Sequence, residues 1–230
     1  MIDLSFSLYT PDRRNIKLGF EIKTHMRKRA HGQATRERLI EATIRLLKQK
    51  GLGAISTARV AREAGIVQSG FYAHFESLEA CIAEAARRIG NRIRITLVHG
   101  LERIRHQGAG DYTLIKEQYQ RLLAELQEQW IFVELFVRYF REPSPLGQAL
   151  AQVHEKLRAE LITHLQEVLK PLGLENRDQA QLGYLADLLI SMCISSAESL
   201  RREPHLEKEF AAHLLTLSTM ELGRRLIEKT

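Results

Sequence analysis

Apolar residues recur at helical spacing along most of this chain, and no stretch alternates with the period of two that a half-buried strand requires. Five residues between Thr35 and Gly51 share one helical face: Leu39, Ile40, Thr43, Ile44 and Leu47. Thr35 can cap the start of this helix, and Gly51 suits its end. A longer repeat, which Ser77 can cap, continues to about Gln107. The pattern predicts an all-α fold.

Proline and glycine divide the rest of the chain into segments. HQGAG ends the long helix, and REPSP, KPLGLENR and RREPH mark further joints, which leaves four more helical segments. We predict an irregular basic lead over residues 1–31, a small helical unit over 32–80 and a larger helical unit over 81–230.

Two short helices joined by a glycine follow the first helix. The first runs from Ser56 to Ala64, Gly65 permits a left-handed turn, and the second covers roughly Gln68 to His74. Ala61 is small where the helices would cross, and Phe71 supplies an apolar plug. This arrangement is typical of a helix-turn-helix unit, whose second helix enters the major groove of DNA.

Positive charge is concentrated in the same part of the chain. The net charge is +6, yet residues 1–75 hold 14 Lys and Arg against 6 Asp and Glu, whereas residues 76–230 hold 20 against 22. Such asymmetry is expected where a polyanion binds, although a solvated basic face is the alternative.

The order STARVAREAGIVQSGFYAHF resembles the N-terminal domain of the TetR family of bacterial transcriptional repressors. The resemblance covers about Thr35 to Ala85, and the Tyr-x-His-Phe end of the second helix is its most specific part. It implies a three-helix DNA-binding domain followed by a larger helical domain that binds a ligand and forms a dimer. A double-stranded DNA operator and a small-molecule effector would then be the partners.

The resemblance assigns DNA contacts to three groups of residues. The bases would face Gln68, Ser69 and Gly70. Phosphates or base edges would face Tyr72 and His74, while the DNA backbone would be held by Thr57 and Arg59. For Tyr72 and His74 the alternative is packing or capping within the protein. Phe71 and Phe75 are expected in the core.

One position departs from the family pattern. Leu78 stands where family members usually carry a lysine near the next helix N-terminus. We expect a basic arm, Arg27, Lys28 and Arg29, to compensate by reaching a minor groove, with a solvated tail as the alternative.

The last two helices carry more apolar surface than one core needs. Between Leu206 and Ile227, one face holds Phe210, Leu214, Leu217 and Met220, and another holds Ala211, Leu215, Leu222 and Leu226. The segment Gln179–Leu200 likewise carries more apolar surface than one core needs. Burial against a second subunit explains such a wide arc, so we predict a homodimer through these helices.

A ligand pocket is expected near the apolar, aromatic stretch WIFVELFVRYF. Its polar anchors would be Tyr119, Trp130, Arg138, His154 and His164, although an aromatic stripe at helical spacing more often belongs to a core. Elsewhere in the chain, the stretch GIVQSGFYAHF followed by an unusually long helix resembles the subgroup of the family that controls unsaturated fatty acid synthesis, which implies an acyl thioester or other lipid-like effector.

Other functional classes find less support in the sequence. No nucleophile elbow, P-loop, HExxH or GxGxxG motif occurs, and the two cysteines, Cys81 and Cys193, lack metal-ligand spacing. We therefore predict no enzyme activity, no metal and no cofactor. We also predict no membrane helix and a cytoplasmic location. The alternatives are a non-specific architectural DNA-binding protein and, more weakly, an all-helical enzyme.

Overall fold

The computed structural model describes residues 13–108, 110–170 and 178–228, which form helices and the turns between them. A one-turn 3-10 helix at Leu52–Ala54 accompanies nine α-helices in this part of the chain. Their bounds are α1 Arg13–Lys50, α2 Thr57–Glu63, α3 Gln68–Phe71, α4 Leu78–Gln107, α5 Tyr112–Glu128, α6 Trp130–Tyr139, α7 Pro145–Leu169, α8 Gln179–Arg202 and α9 Lys208–Glu228. The predicted all-α fold class is confirmed.

Side-chain caps fix where several of these helices begin. At each of five helix starts an oxygen accepts a hydrogen bond from a backbone N–H two or three residues later, which satisfies a donor that the helix leaves unpaired. These caps are Ser56, Ser77, Asp111, Ser144 and Asp178. The Ser77 oxygen lies 3.0 Å from the Ala80 nitrogen, so the predicted start of the long helix α4 is confirmed.

The first helix begins earlier than the sequence pattern predicted. It starts at Arg13, so the expectation of an irregular lead up to residue 31 is wrong from that point on. Thr35 is not its cap: the Thr35 hydroxyl is inside the helix and donates to the His31 carbonyl at 3.1 Å. Residues 13–31 are polar but contain no proline, so nothing in them ends a helix.

A second difference lies between α5 and α6. We predicted four helices after α4, and the described residues form five, because the chain turns at Gln129 (φ −98°, ψ 32°). Gln129 is 1% exposed, and its carbonyl accepts a hydrogen bond from the Phe132 N–H at 2.8 Å. Neither glycine nor proline marks this turn, so the sequence carries no signal for it.

The helices pack around one apolar core that extends from α1 to α8. The first turns of α4 pack on α1, and the rest of α4 lies along α7. Three side-chain pairs, Arg87–Gln152, Arg94–Glu160 and Arg105–Glu167, show that α4 and α7 run parallel. Helix α4 therefore connects the small N-terminal unit with the larger bundle.

Helix α8 is the one described helix whose length and apolar composition would allow it to cross a membrane. Core helices of soluble proteins pass the same test, and 44% of its apolar window is buried inside the bundle. Its Asp187 carboxylate accepts hydrogen bonds from Arg158 Nε of α7 at 3.0 and 3.2 Å.

Candidate nucleic-acid interface and internal cavity

The turn between α2 and α3 is fixed by one glycine and two backbone hydrogen bonds. Gly65 has φ +70°, a conformation that residues with side chains rarely adopt. The Gly65 N–H donates to the Arg62 carbonyl at 3.1 Å, and the Ile66 N–H donates to the Ala61 carbonyl at 3.0 Å. Because Ala61 is only 1% exposed, the two helices cross closely, as the sequence predicted.

Two phenylalanines hold α3 against the rest of the protein. Phe71 is fully buried and Phe75 is 5% exposed, with ring centroids 5.7 Å apart, so the prediction that both belong to the core is confirmed. The Arg36 guanidinium of α1 lies 4.7 Å from the centroid of the Phe75 ring. These contacts leave the opposite face of α3 turned outward.

The outward face of α3 and the turn that follows it carry the residues predicted to contact DNA. Helix α3 ends at Phe71, so Tyr72 and His74, which we predicted within the helix, lie in that turn. Gln68 and Ser69 are exposed, Gly70 and His74 are half-buried, and Tyr72 is 57% exposed with its ring edge against Phe71. Val67, at the helix start, is 72% exposed. Val67 was not among the residues predicted to contact DNA, although an apolar residue beside the polar run QSG was a signal for an apolar contact surface.

The two predicted backbone clamps lie at the start of α2. Thr57 is half-buried, whereas Arg59 is exposed. The Arg59 guanidinium donates to the Ala54 carbonyl at 2.5 Å, so it folds back on the preceding turn. Leu78, where family members usually carry lysine, packs partly buried against the core.

The proposed basic arm lies inside α1. The segment 27–29 is helical, so the expectation of an irregular arm is corrected. Arg29 is exposed, whereas the side chains of Arg27 and Lys28 lie outside the described residues.

Ion pairs join α1 to α4. Arg88 of α4 donates to Glu37 and, at 2.9 Å, to Glu41, both on α1. Arg36 and Glu84 lie 3.8 Å apart across the same junction. Movement of α4 would therefore carry the N-terminal helices with it.

The larger bundle encloses a cavity of about 630 Å³. Helices α4 to α9 contribute to its wall, which is overwhelmingly aliphatic and aromatic. Gly110 and Arg224 are the exposed residues of the wall, and they mark its mouth. Because α4 and α7 run parallel, Ile104 and Val168 lie near this mouth, while the inner end is formed by Ile93, Leu126, Phe132, Phe136 and His154.

The cavity is long and contains few polar groups. His154 and Val168 both line it, and they are separated by roughly 20 Å along α7 at the helical rise of 1.5 Å per residue. The Tyr119 hydroxyl is paired with the Thr219 hydroxyl at 2.5 Å, and burial raises the pKa of Tyr119. Burial lowers the pKa of His164 and raises that of Cys193 to about 12, so both are favoured in their uncharged forms.

The structure brings three of the five predicted ligand residues together. Tyr119, His154 and His164 line the cavity. Trp130 and Arg138 do not, which corrects their assignment. The Arg201 guanidinium lies 5.6 Å from the Trp130 ring centroid, and Arg138 points outward and pairs with Glu134 at 3.3 Å. Helical periodicity alone could not tell which residues of WIFVELFVRY face the interior.

Helix α9 presents an apolar stripe to solvent. Phe210, Leu214 and Leu217 lie on one face and are 51%, 46% and 46% exposed. Ala211 and Leu215, on the other face, are buried in a small cluster with Leu123. On α8, Tyr184 is 73% exposed. The predicted division therefore holds for these five residues of α9. Met220, predicted on the same face as Phe210, lines the cavity instead, and the side chain of Leu226 lies outside the described residues.

Comparisons with known proteins agree with this geometry. Residues 39–85 match the family model described as bacterial regulatory proteins, tetR family. The chain is 42% identical over 50 residues to the uncharacterized HTH-type transcriptional regulator YerO of Bacillus subtilis, a match that spans 22% of this chain and 17% of that relative.

Two solved structures share the fold over most of the chain. One is a proposed TetR-family transcriptional regulator from Mesorhizobium loti, with TM-score 0.66, 17% identity and coverage of 83% of this chain and 97% of that one. The other is FadR of Thermus thermophilus, a TetR-family repressor in complex with lauroyl-CoA, with TM-score 0.54, 18% identity and coverage of 80% and 92%.

Proposed function

We propose that the chain is a dimeric repressor of the TetR family, because residues 39–85 match that family's model, and that an apolar small molecule releases it from a palindromic DNA operator. The observation that carries this proposal is the pairing of two features in one chain. A short helix with an exposed polar face is anchored by buried phenylalanines, and a long apolar cavity lies in the attached bundle.

The exposed face of α3 suits the major groove. Gln68 and Ser69 can hydrogen-bond base edges from the N-terminal half of the helix, and Gly70 lets the backbone approach closely. Tyr72 and His74 would contact phosphates or base edges. Thr57 and Arg59 at the start of α2 would hold the DNA backbone, for which Arg59 must exchange its bond to Ala54 for a phosphate.

The uncovered stripe of α9 supports the dimer. Phe210, Leu214 and Leu217 form a continuous apolar row, and Tyr184 adds a large side chain on the neighbouring helix α8. Exposed apolar rows of this kind mark association surfaces. A two-fold dimer would also present two copies of α3, which fits a palindromic operator.

The cavity supports a lipid-like effector. Its volume lies within the usual range for small-molecule sites, and its length suits an extended chain. A protein of the same fold was crystallised with lauroyl-CoA, and an acyl thioester is one candidate for this chain. Such a ligand would act by favouring a position of α4 in which the two copies of α3 no longer fit successive major grooves.

The central test is sequence-selective DNA binding. A duplex selected from a random pool by the wild-type protein would be titrated with wild type and Tyr72→Ala in a gel-shift assay. We expect Tyr72→Ala to weaken binding by roughly tenfold or more, since one contact is worth about 1–3 kcal/mol. The melting temperature should hardly change, because Tyr72 is largely exposed.

Val137→Ala is the matched control, because Val137 is 51% exposed on α6, away from α3. It should leave the affinity unchanged. Equal binding of all duplexes would favour an architectural DNA-binding protein, and turnover of a metabolite would favour an all-helical enzyme. We place the repressor in the cytoplasm, where the DNA is.

A further inference from the structure

Val67 is an exposed apolar residue at the start of helix α3, next to the residues proposed to read bases. Its side chain is 72% exposed, whereas Ile66 before it packs against the core. Gln68 and Ser69, which follow it, are exposed and polar. Single exposed valines are common on protein surfaces, so the exposure matters here only because of where Val67 lies.

The Val67 side chain does not support the helix that it starts. Five other described helices begin with a serine or aspartate oxygen that accepts a hydrogen bond from the backbone. Such side chains are preferred at an N-cap because their oxygens pair with free N–H groups. Val67 occupies the N-cap of α3 and offers no side-chain acceptor. The valine side chain therefore serves neither as a cap nor as a core residue.

Gly70 leaves the space beside Val67 free of a side chain. A Cβ at position 70 would lie 3.8 Å from Val67 Cγ2 and 3.7 Å from Ile66 Cδ1. A residue with a side chain at position 70 would therefore begin in contact with the valine methyl and compete for the space beside it. With glycine at this position, a small apolar group from outside can approach Val67 Cγ2 and the Gly70 backbone together.

We infer that Val67 packs against the 5-methyl group of a thymine in each half-site of the operator and so helps to determine which sequence the protein selects. This methyl is the apolar group that bases present in the major groove, which α3 would enter. A valine side chain has no hydrogen-bonding atom, so it gains nothing from the polar base edges. The inference rests on the proposed function in taking α3 as the helix that reads bases.

A single methyl fits this surface better than another protein does. Protein partners are recognised by contiguous apolar patches, whereas the residues that follow Val67 on α3 are polar. Gln68 and Ser69 can hydrogen-bond base edges while Val67 contacts the neighbouring methyl.

Uracil lacks only the 5-methyl group of thymine, so uracil-containing duplexes test the inference with the purified full-length protein. Each thymine of the duplex selected by the wild-type protein would be replaced in turn, symmetrically in both half-sites, and the affinity would be measured by gel shift. We expect one symmetric pair of replacements to weaken binding roughly ten- to twentyfold, since losing contact with each methyl costs about three- to fivefold. In Val67→Ala the same pair of replacements should have almost no further effect.

Val67→Ser separates the methyl contact from helix capping. Its hydroxyl can cap α3, yet the sensitivity to uracil should be lost as in Val67→Ala. Val137→Ala is the matched control, because it removes the same atoms from a valine that is 51% exposed on α6, and it should keep the wild-type sensitivity. The inference is overturned if no thymine pair is sensitive to uracil, or if either Val67 variant keeps the wild-type sensitivity.

Selection of a duplex and its sensitivity to uracil are separate readouts, so failure of the inference can be told from failure of the proposed function. A wild-type protein that selects no sequence would refute the repressor, and the inference with it. A selected duplex whose binding does not depend on a thymine methyl at Val67 would refute only the role of Val67.

Discussion

Gly90 of α4 lies where α4 closely approaches both α6 and α7, and replacing it with alanine tests that contact. A Cβ at this position would lie 2.6 Å from one Val153 methyl and 2.8 Å from the Phe132 ring. Both neighbours are buried, at 6% and 4% exposure, and valine has little rotamer freedom. Neither can move aside at small cost, so α7 or α6 must shift away from α4.

The expected destabilisation is the difference between two effects. Overpacking a well-packed core costs about 1–3 kcal/mol, and replacing a helical glycine with alanine gains about 1 kcal/mol. Gly90→Ala should therefore lower the free energy of unfolding by about 1 kcal/mol. Gly32 in α1 supplies the matched control, because an added Cβ there has no atom within 4 Å. Gly32→Ala should raise the free energy of unfolding by about 0.5–1 kcal/mol.

Urea unfolding at one fixed protein concentration measures both variants, since the stability of a dimer depends on concentration. For a chain of this size, 1 kcal/mol corresponds to roughly 2–4 °C in melting temperature. The changes that the two substitutions cause in the free energy of unfolding should thus have opposite signs. If Gly90→Ala stabilises the protein as much as Gly32→Ala does, the close approach of α4 to α6 and α7 does not exist and the reasoning is refuted.

Two further predictions concern the dimer and the thiols. Leu217→Glu places a charge in the apolar stripe, so it should convert a dimer of about twice the 26.4 kDa chain mass into a monomer, as measured by light-scattering chromatography. Val137→Glu is the control and should leave the dimer intact. A dimeric Leu217→Glu variant would contradict the proposed interface. Burial raises the pKa of Cys81 to about 11 and that of Cys193 to about 12, so at about pH 8 neither should react with Ellman's reagent until denaturant unfolds the protein. Rapid reaction of the native protein would show that one of these thiols is accessible.

The DNA-binding unit was the most predictable part of this molecule, for a physical reason. Its geometry depends on local features: the Ser56 cap, the left-handed Gly65 and the spacing from Ala61 to Phe71. Each is visible in a short window of sequence, and each lies in the structure where we expected it. The start of α1 was missed because polar composition alone does not break a helix.

The cavity was less predictable because it depends on how distant helices meet. Tyr119, His154 and His164 were found by residue type. Trp130 and Arg138 were assigned from an aromatic stretch, and only tertiary contacts decide which of its side chains point into the cavity. The turn at Gln129 rotates α6 relative to α5 without a sequence signal, and this rotation decides which aromatic residues enter the cavity. Phe132 and Phe136 line it, while Trp130 does not.

The inner end of the cavity lies next to the place where α4 packs against α6 and α7. Phe132 both lines the cavity and lies against Gly90, and Val153, the other neighbour of Gly90, precedes His154 in the chain. A ligand group that reaches the inner end of the cavity therefore lies beside the contact at which α4 crosses α6 and α7. Since Arg88, two residues before Gly90, holds Glu37 and Glu41 of α1, a shift at this crossing would move the helices that present α3. On this basis a ligand that stops short of His154 should bind the cavity yet leave the operator complex intact.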